Sequence, residues 1–197
     1  MLLRAMIATS SRRRYTLQEY LVVEEESAVR HELLNGEIFA MAGGTPEHAA
    51  LAAALVVLLG GALRGRPCRP YSADLRIFVA ATGLYTYPDA AVICGPPERA
   101  AGSPTHVTNP RVVVEVLSPS TEDYDRGEKR LHYQALASLE EYVLVAQDRR
   151  AVHVFRRRGE EFVEASYGAG ESVELASVGA TIAVDELYES AGLSALR

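Results

Sequence analysis

Residues 111–117 read RVVVEVL, with Val112, Val113, Val114, Val116 and Leu117 surrounding one acid, Glu115. An apolar run this short reads as a strand covered on both faces, since a strand with one wet face would alternate. A polar loop follows, SPSTEDYD over residues 118–125, and then a helical pattern from about Arg126 to Leu136. A second apolar run, EYVLVAQ at 141–147, comes next. Strand, helix, strand in that order predicts a parallel pair joined by a helical crossover.

Working toward the N-terminus, two further strands are expected, Tyr71 to Ala80 and Tyr85 to Ile93, with Ala81-Thr82-Gly83 as the turn between them. Before them lies an apolar stretch from Ala49 to Leu63. Thr45-Pro46 suits its N-cap and first helical position, and the helix is expected to stop near Gly65 and to be buried nearly all round. Asn35-Gly36 between two alternating runs signals a hairpin, with Glu37 beginning its second strand. Thr16 with Glu19 forms a capping-box pattern for a helix from Leu17 to about Glu25. Toward the C-terminus, VHVFRR (152–157) and FVEASY (162–167) predict antiparallel strands, and a short helix is expected near Asp185 to Ser190. The core order, helix-strand-strand-strand-helix-strand, argues for a mixed-sheet α/β domain with an added N-terminal hairpin and C-terminal antiparallel strands. No glycine-rich phosphate loop follows a strand. The expected division is a disordered lead-in over 1–14, one domain over 15–190 and a tail over 191–197.

Composition narrows the function classes. Of 197 residues, 48% are hydrophobic and 23% charged, which excludes disordered, collagen-like and coiled-coil chains. Net charge is −6, so the surface is not uniformly basic. Cys68 and Cys94 do not make a disulfide framework, and a reduced, cytoplasmic setting is the expectation. The longest apolar run is too short to span a bilayer, so no membrane association is expected. The 20 basic residues comprise 19 Arg and one Lys, Lys129. Codon bias explains the Arg excess, and it leaves the one exception to be explained.

Three carboxylates stand in or beside apolar strands: Asp74 in SADLRI, Asp89 in YPDAAVI and Glu115. An unpaired carboxylate is expensive to bury. Each therefore has a partner, Arg76 or Arg111 in the plainest reading, or a metal. Two acids converging at one sheet edge suit Mg²⁺ or Mn²⁺, hard cations that choose carboxylate oxygens. Lys129 follows Glu115 by 14 positions, with Asp125 one turn before it and Tyr133 one turn after. An exposed Asp–Lys pair is the plain reading. Against it, a lysine is a compact charge whose pKa shifts on burial, which arginine does not offer. On that ground Lys129→Arg is expected to fold normally and to lose most activity.

Together these residues resemble the PD-(D/E)xK nuclease superfamily, with its restriction-endonuclease-like fold. More narrowly, HELLNGEIFAM, His48, SADLRI, YPDAAVI, VVVEVLSPST, DRGEK, Tyr133 and EYVLV are similar to the bacterial Uma-two family of restriction-endonuclease-like proteins, over about residues 15 to 190. The chain departs from the superfamily pattern where Leu117 stands in place of a lysine two residues after the acid; the resemblance implies that Lys129 takes over that position. It further implies Mg²⁺ (or Mn²⁺) held by Asp89, Glu115 and the carbonyl of Val116, and Lys129 orienting or deprotonating the attacking water. Glu37 would bind metal through water, and His48 would act as a second base or phosphate contact, though a structural histidine fits it equally. Asp74, Ser118, Asp125 and Tyr133 are outer partners or substrate contacts. The expected activity is endonucleolytic hydrolysis of DNA by a homodimer, with VHVFRR as a dimer edge. An isoelectric point near 5.4 is unusual for a duplex binder. A non-catalytic binding or assembly module keeping the fold, and a metal-dependent hydrolase of other phosphodiesters, stay open as alternatives.

Overall fold

The computed structural model describes residues 13–41 and 43–196. Up to residue 12, the expected N-terminal lead-in lies outside the described residues.

Helix α1 (Leu17–Glu26) starts where expected, with Thr16 and Glu19 exchanging side chain-to-backbone hydrogen bonds in a capping box. The hairpin of β1 (His31–Leu34) and β2 (Glu37–Ala40) turns through Asn35 and Gly36 at φ 52° and 79°, the left-handed conformation that this turn requires. Thr45 caps α2 (Pro46–Ala62) by accepting from the His48 N–H. The helix was expected to be buried nearly all round. Instead Leu51, Leu55 and Leu59 face the core while Val57 is 72% exposed, because a helix laid on a sheet has only one side to bury.

The two long strands expected after α2 are each cut in two. The first becomes β3 (Cys68–Ser72) and β4 (Arg76–Val79), separated by a turn closed by Leu75 N–H donating to Ser72 O. The second becomes β5 (Leu84–Thr86) and β6 (Ala90–Cys94), separated at Tyr87-Pro88-Asp89. Each cut carries the chain from one sheet to another. Tyr71, Ala73, Leu75, Ile77 and Val79 alternate across the first break, which is why periodicity does not reveal it, whereas Pro88 marks the second. Next come β7 (His106–Val107), β8 (Val112–Leu117), α3 (Glu122–Arg126), α4 (Glu128–Gln134), β9 (Glu141–Ala146), β10 (Ala151–Arg158) and β11 (Glu161–Gly168). A hairpin of β12 (Ser172–Leu175) and β13 (Ala180–Ala183), unseen in the sequence, precedes α5 (Val184–Ser190).

The main sheet runs β11-β10-β9-β8-β6-β3, and the smaller one β2-β1-β5-β4-β7. Strands β8 and β9 are parallel, joined through α3 and α4. Every residue of β8 is buried. Val112, Val114 and Val116 belong to the core under α2, while Val113 and Leu117 belong to the core that holds Tyr133 of α4. Since side chains alternate along a strand, Glu115 shares the α4 face. Each fully buried Val or Leu contributes roughly 1.5–3 kcal/mol, so this register is held firmly.

Two expectations about packing change. Strand β10 has neighbours on both sides, β9 and β11, so VHVFRR offers no edge for a dimer. Cys68 and Cys94 are directly opposed in the β3–β6 ladder and joined as a disulfide. Strand register brings the two sulfurs together across 26 residues of sequence, a relation that counting cysteines does not contain.

Candidate functional site

Pro88 has no N–H for a ladder, so β6 starts only after it and leaves Asp89 at the sheet's end. Asp89 Oδ2 accepts from the Val116 N–H at 2.7 Å and lies 3.1 Å from His48 Nε2. His48 is in the first turn of α2, so the Thr45 cap and Pro46 that start this helix also set its ring beside Asp89. Hydrogen bonding to Asp89 raises the His48 pKa, with burial opposing it.

Glu115 projects from β8 toward α4. Its Oε1 lies 2.9 Å from Lys129 Nζ and accepts from the Tyr133 hydroxyl at 3.0 Å. Lys129 Nζ also lies 3.2 Å from Glu32 Oε1 and 3.9 Å from Asp125. The helix expected from about Arg126 is α4, and the stretch expected as a polar loop holds a further short helix, α3; Gly127 separates them, where a Cβ would stand 2.8 Å from the Asp123 carbonyl oxygen. Asp125 therefore comes from α3 and Lys129 with Tyr133 from α4, yet all three still meet. Burial pushes the Glu115 carboxyl well above the usual range, with Lys129 opposing the shift and Asp89 adding to it. Asp125 is raised to about 6 by burial, again against Lys129. Burial alone would lower Lys129. Glu115 and Glu32 outweigh it and keep the ammonium charged.

All of these groups but Tyr133, which lies behind them and hydrogen-bonds Glu115, line one cavity of about 130 Å³. Four carboxylates, Glu32, Asp89, Glu115 and Asp125, surround it with His48, and Lys129 is the one Lys or Arg among its lining residues. Phe39, Met41 and Tyr124 form an apolar and aromatic side. Ser118 also lines it, hydrogen-bonded to the hydroxyls of Ser120 and Thr121.

Two sequence candidates fall elsewhere. Glu37 is exposed at the hairpin turn and does not line the cavity, because its neighbour-but-one Phe39 occupies the end of β2 that does. Asp74 sits in the β3–β4 turn with its side chain 81% exposed and paired with Arg30, so it is neither a buried strand acid nor a partner of the site. Arg76 pairs with Glu24 and not with the strand acids. Sequence reasoning missed Glu32, which is 5% exposed, accepts from the Thr86 hydroxyl and takes a 3.3 Å hydrogen bond from Tyr124. Its signal was the one that singled out Glu115, an acid within an apolar strand, diluted because HELL is only four residues long.

In chemistry the donor set fits a hard divalent cation: four carboxylates against one ammonium leave an excess of anionic oxygen that such an ion would neutralise. Among the described residues no three His, Cys, Asp or Glu side chains are gathered into a ready-made cation cage. Asp89 is instead engaged by Val116 and His48, and Glu115 by Lys129 and Tyr133.

The architecture is a nuclease-type mixed α/β fold. It matches the crystal structure of "a putative nuclease belonging to DUF820" from Anabaena variabilis with a TM-score of 0.73, at 20% identity over 89% of this chain and 98% of the other. The chain belongs to the Uma2 family, whose description reads "Putative restriction endonuclease" and whose model matches residues 17–185. Two uncharacterized Synechocystis proteins are similar to it. One, slr1290, is 37% identical over 87% of this chain and 90% of its own length. The other, sll1609, is 31% identical over 86% and 96%. No helix among the described residues is long and apolar enough to cross a membrane.

Proposed function

We propose that this chain is a divalent-metal-dependent endonuclease hydrolysing DNA phosphodiester bonds. The observation that carries the reading is the meeting of Asp89, Glu115 and Lys129 in one cavity, from three separate stretches of the chain. Asp89 and Glu115 would hold Mg²⁺ or Mn²⁺, with Val116 beside them. The ion would supply charge neutralisation at the phosphate and a more acidic water. His48 orients Asp89 through the 3.1 Å contact. Lys129, charged and enclosed, presents a fixed ammonium for the phosphate or the attacking water. Family membership supports a nuclease, and the donor chemistry supports the metal.

The test is nicking of supercoiled plasmid in Mg²⁺ or Mn²⁺ by wild type, Asp89→Ala, Glu115→Ala and Lys129→Ala. Wild type should nick and each variant should lose at least a hundredfold. Equal behaviour of wild type and variants would sink the enzyme reading. One observation favours a non-catalytic module instead: every acid of the site already has a protein partner. In that case metal leaves the melting temperature unchanged. A panel of small phosphodiesters separates DNA cleavage from hydrolysis of other phosphodiesters. The homodimer belongs to this proposal too, on a surface other than β10, and a monomeric sedimentation mass counts against it.

A further inference from the structure

We propose that Glu32 is the standing partner of Lys129, which frees Glu115 to turn from the ammonium toward a divalent cation. The inference rests on the metal-dependent reading above and explains how a charge network without a ready-made cage becomes a metal site. Lys129 has two close carboxylates, Glu115 at 2.9 Å and Glu32 at 3.2 Å, and its own side chain is 6% exposed. A buried ammonium is strongly destabilised if its last close partner leaves. With Glu115 alone beside it, the acid would be locked on the lysine.

The two carboxylates are held differently. Both hydrogen-bonding contacts of Glu115 among the described residues, Lys129 and Tyr133, use the single oxygen Oε1. Glu32 is engaged at both oxygens and from three elements. Its Oε1 meets Lys129 and accepts from Thr86 of β5, and its Oε2 accepts from Tyr124 of α3. Glu32 is thus tethered in place while Glu115 has an oxygen to offer. The division of labour also follows the fold. Glu115 comes from the central strand that reaches Asp89 through Val116, whereas Glu32 enters from the hairpin sheet. Glu32 is a positioning residue here, acting through Lys129.

The experiment measures Mn²⁺ affinity by electron paramagnetic resonance of the free ion. The proteins are wild type, Glu32→Gln, Lys129→Met and the double variant. Glu32→Gln should weaken binding at least tenfold, because Glu115 then has to serve the ammonium. Once Lys129 is Met, adding Glu32→Gln should change affinity less than twofold. Equal weakening in both backgrounds means that Glu32 contributes only bulk negative charge, and it overturns the inference while leaving the metal site standing. No weakening in the wild-type background overturns it as well. Absence of Mn²⁺ binding by folded wild type removes the metal reading and the inference together. Should Glu32→Gln alone fail to fold, Thr86→Val keeps the charge and removes one tether. It should weaken Mn²⁺ two- to fivefold, and unchanged affinity counts against the proposal.

Discussion

At the scale of single residues, the site is governed by burial of charge. The lone lysine of the sequence stands among Glu115, Glu32 and Asp125, all within 4.0 Å. Its enclosure changes one expectation. Lys129→Arg was expected to fold normally, but a guanidinium is larger than an ammonium and the site around Lys129 is closed, with the residue 5% exposed. Overpacking of this kind costs about 1–3 kcal/mol, so urea denaturation should show that loss beside the loss of nicking. The acids set a pH dependence. Asp125 is raised to about 6 from an ordinary value near 4, so the folded protein binds its proton more tightly than the unfolded chain does. Stability from this group is present at low pH and falls as pH rises through about 4 to 6. His48, also raised, adds stability below its ordinary value that is lost as pH climbs past it, the same direction. Asp125→Asn should therefore flatten the decline in unfolding free energy between pH 4 and 7. A curve as steep as wild type would show that other groups set it.

At the scale of elements, the strands carrying RVVVEVL and EYVLVAQ were legible because burial on both faces leaves an unbroken apolar run. The capped helices and the Asn35-Gly36 hairpin were legible because their signals are local hydrogen bonds and local φ requirements. The cut between β3 and β4 was not, since the chain keeps its alternation there while changing sheets; the cut between β5 and β6 is marked by Pro88, which cannot donate to a ladder. The short helix α3 was not legible either, because its polar sequence reads as a loop, and at Gly127 the close Asp123 carbonyl leaves no room for a side chain. The disulfide is an element-scale feature as well. It ties β3, the edge strand reached from α2, to β6, the strand that begins after Asp89. Closing a 26-residue separation is worth about 3.5 kcal/mol in the chain-entropy account. Reductant, or Cys68→Ser with Cys94→Ser, should lower the melting temperature correspondingly. An unchanged melting temperature would mean that the ladder holds β3 without it.

At the scale of the whole molecule, charge decides how nucleic acid can be met. The net charge is −6, and among the described residues Lys129 is the only Lys or Arg lining the cavity. Four arginines, Arg156 and Arg157 and Arg64 and Arg66, serve the fold or stand apart from the site. Arg156 pairs with Glu141, and Arg157 donates to the carbonyls of Gln134, Leu136 and Leu139. Arg64 and Arg66 lie just beyond the C-terminal end of α2, while His48 is at its start. At 1.5 Å per residue that is on the order of 25 Å away. The cavity itself then offers few cations to the phosphates of a nucleic acid. A plot of log affinity for an oligonucleotide against log salt, in Ca²⁺ to suppress cleavage, should have a slope of about −2 to −4. A slope steeper than about −6 would reveal a basic footprint elsewhere on the surface.

Local physics, acting along the chain, was sufficient for the central strands, the capped helices and the first hairpin, and for the recognition that Asp89, Glu115 and Lys129 are out of place in ordinary packing. Each of those signals spans a few residues, so sequence contains it. The meeting of the three in one cavity, the arrival of Glu32 from the hairpin, the exclusion of Glu37 and Asp74, and the pairing of Cys68 with Cys94 depend on strand order and register. Those are set by which faces bury against which, across tens of residues, and they exist only once the sheets have formed.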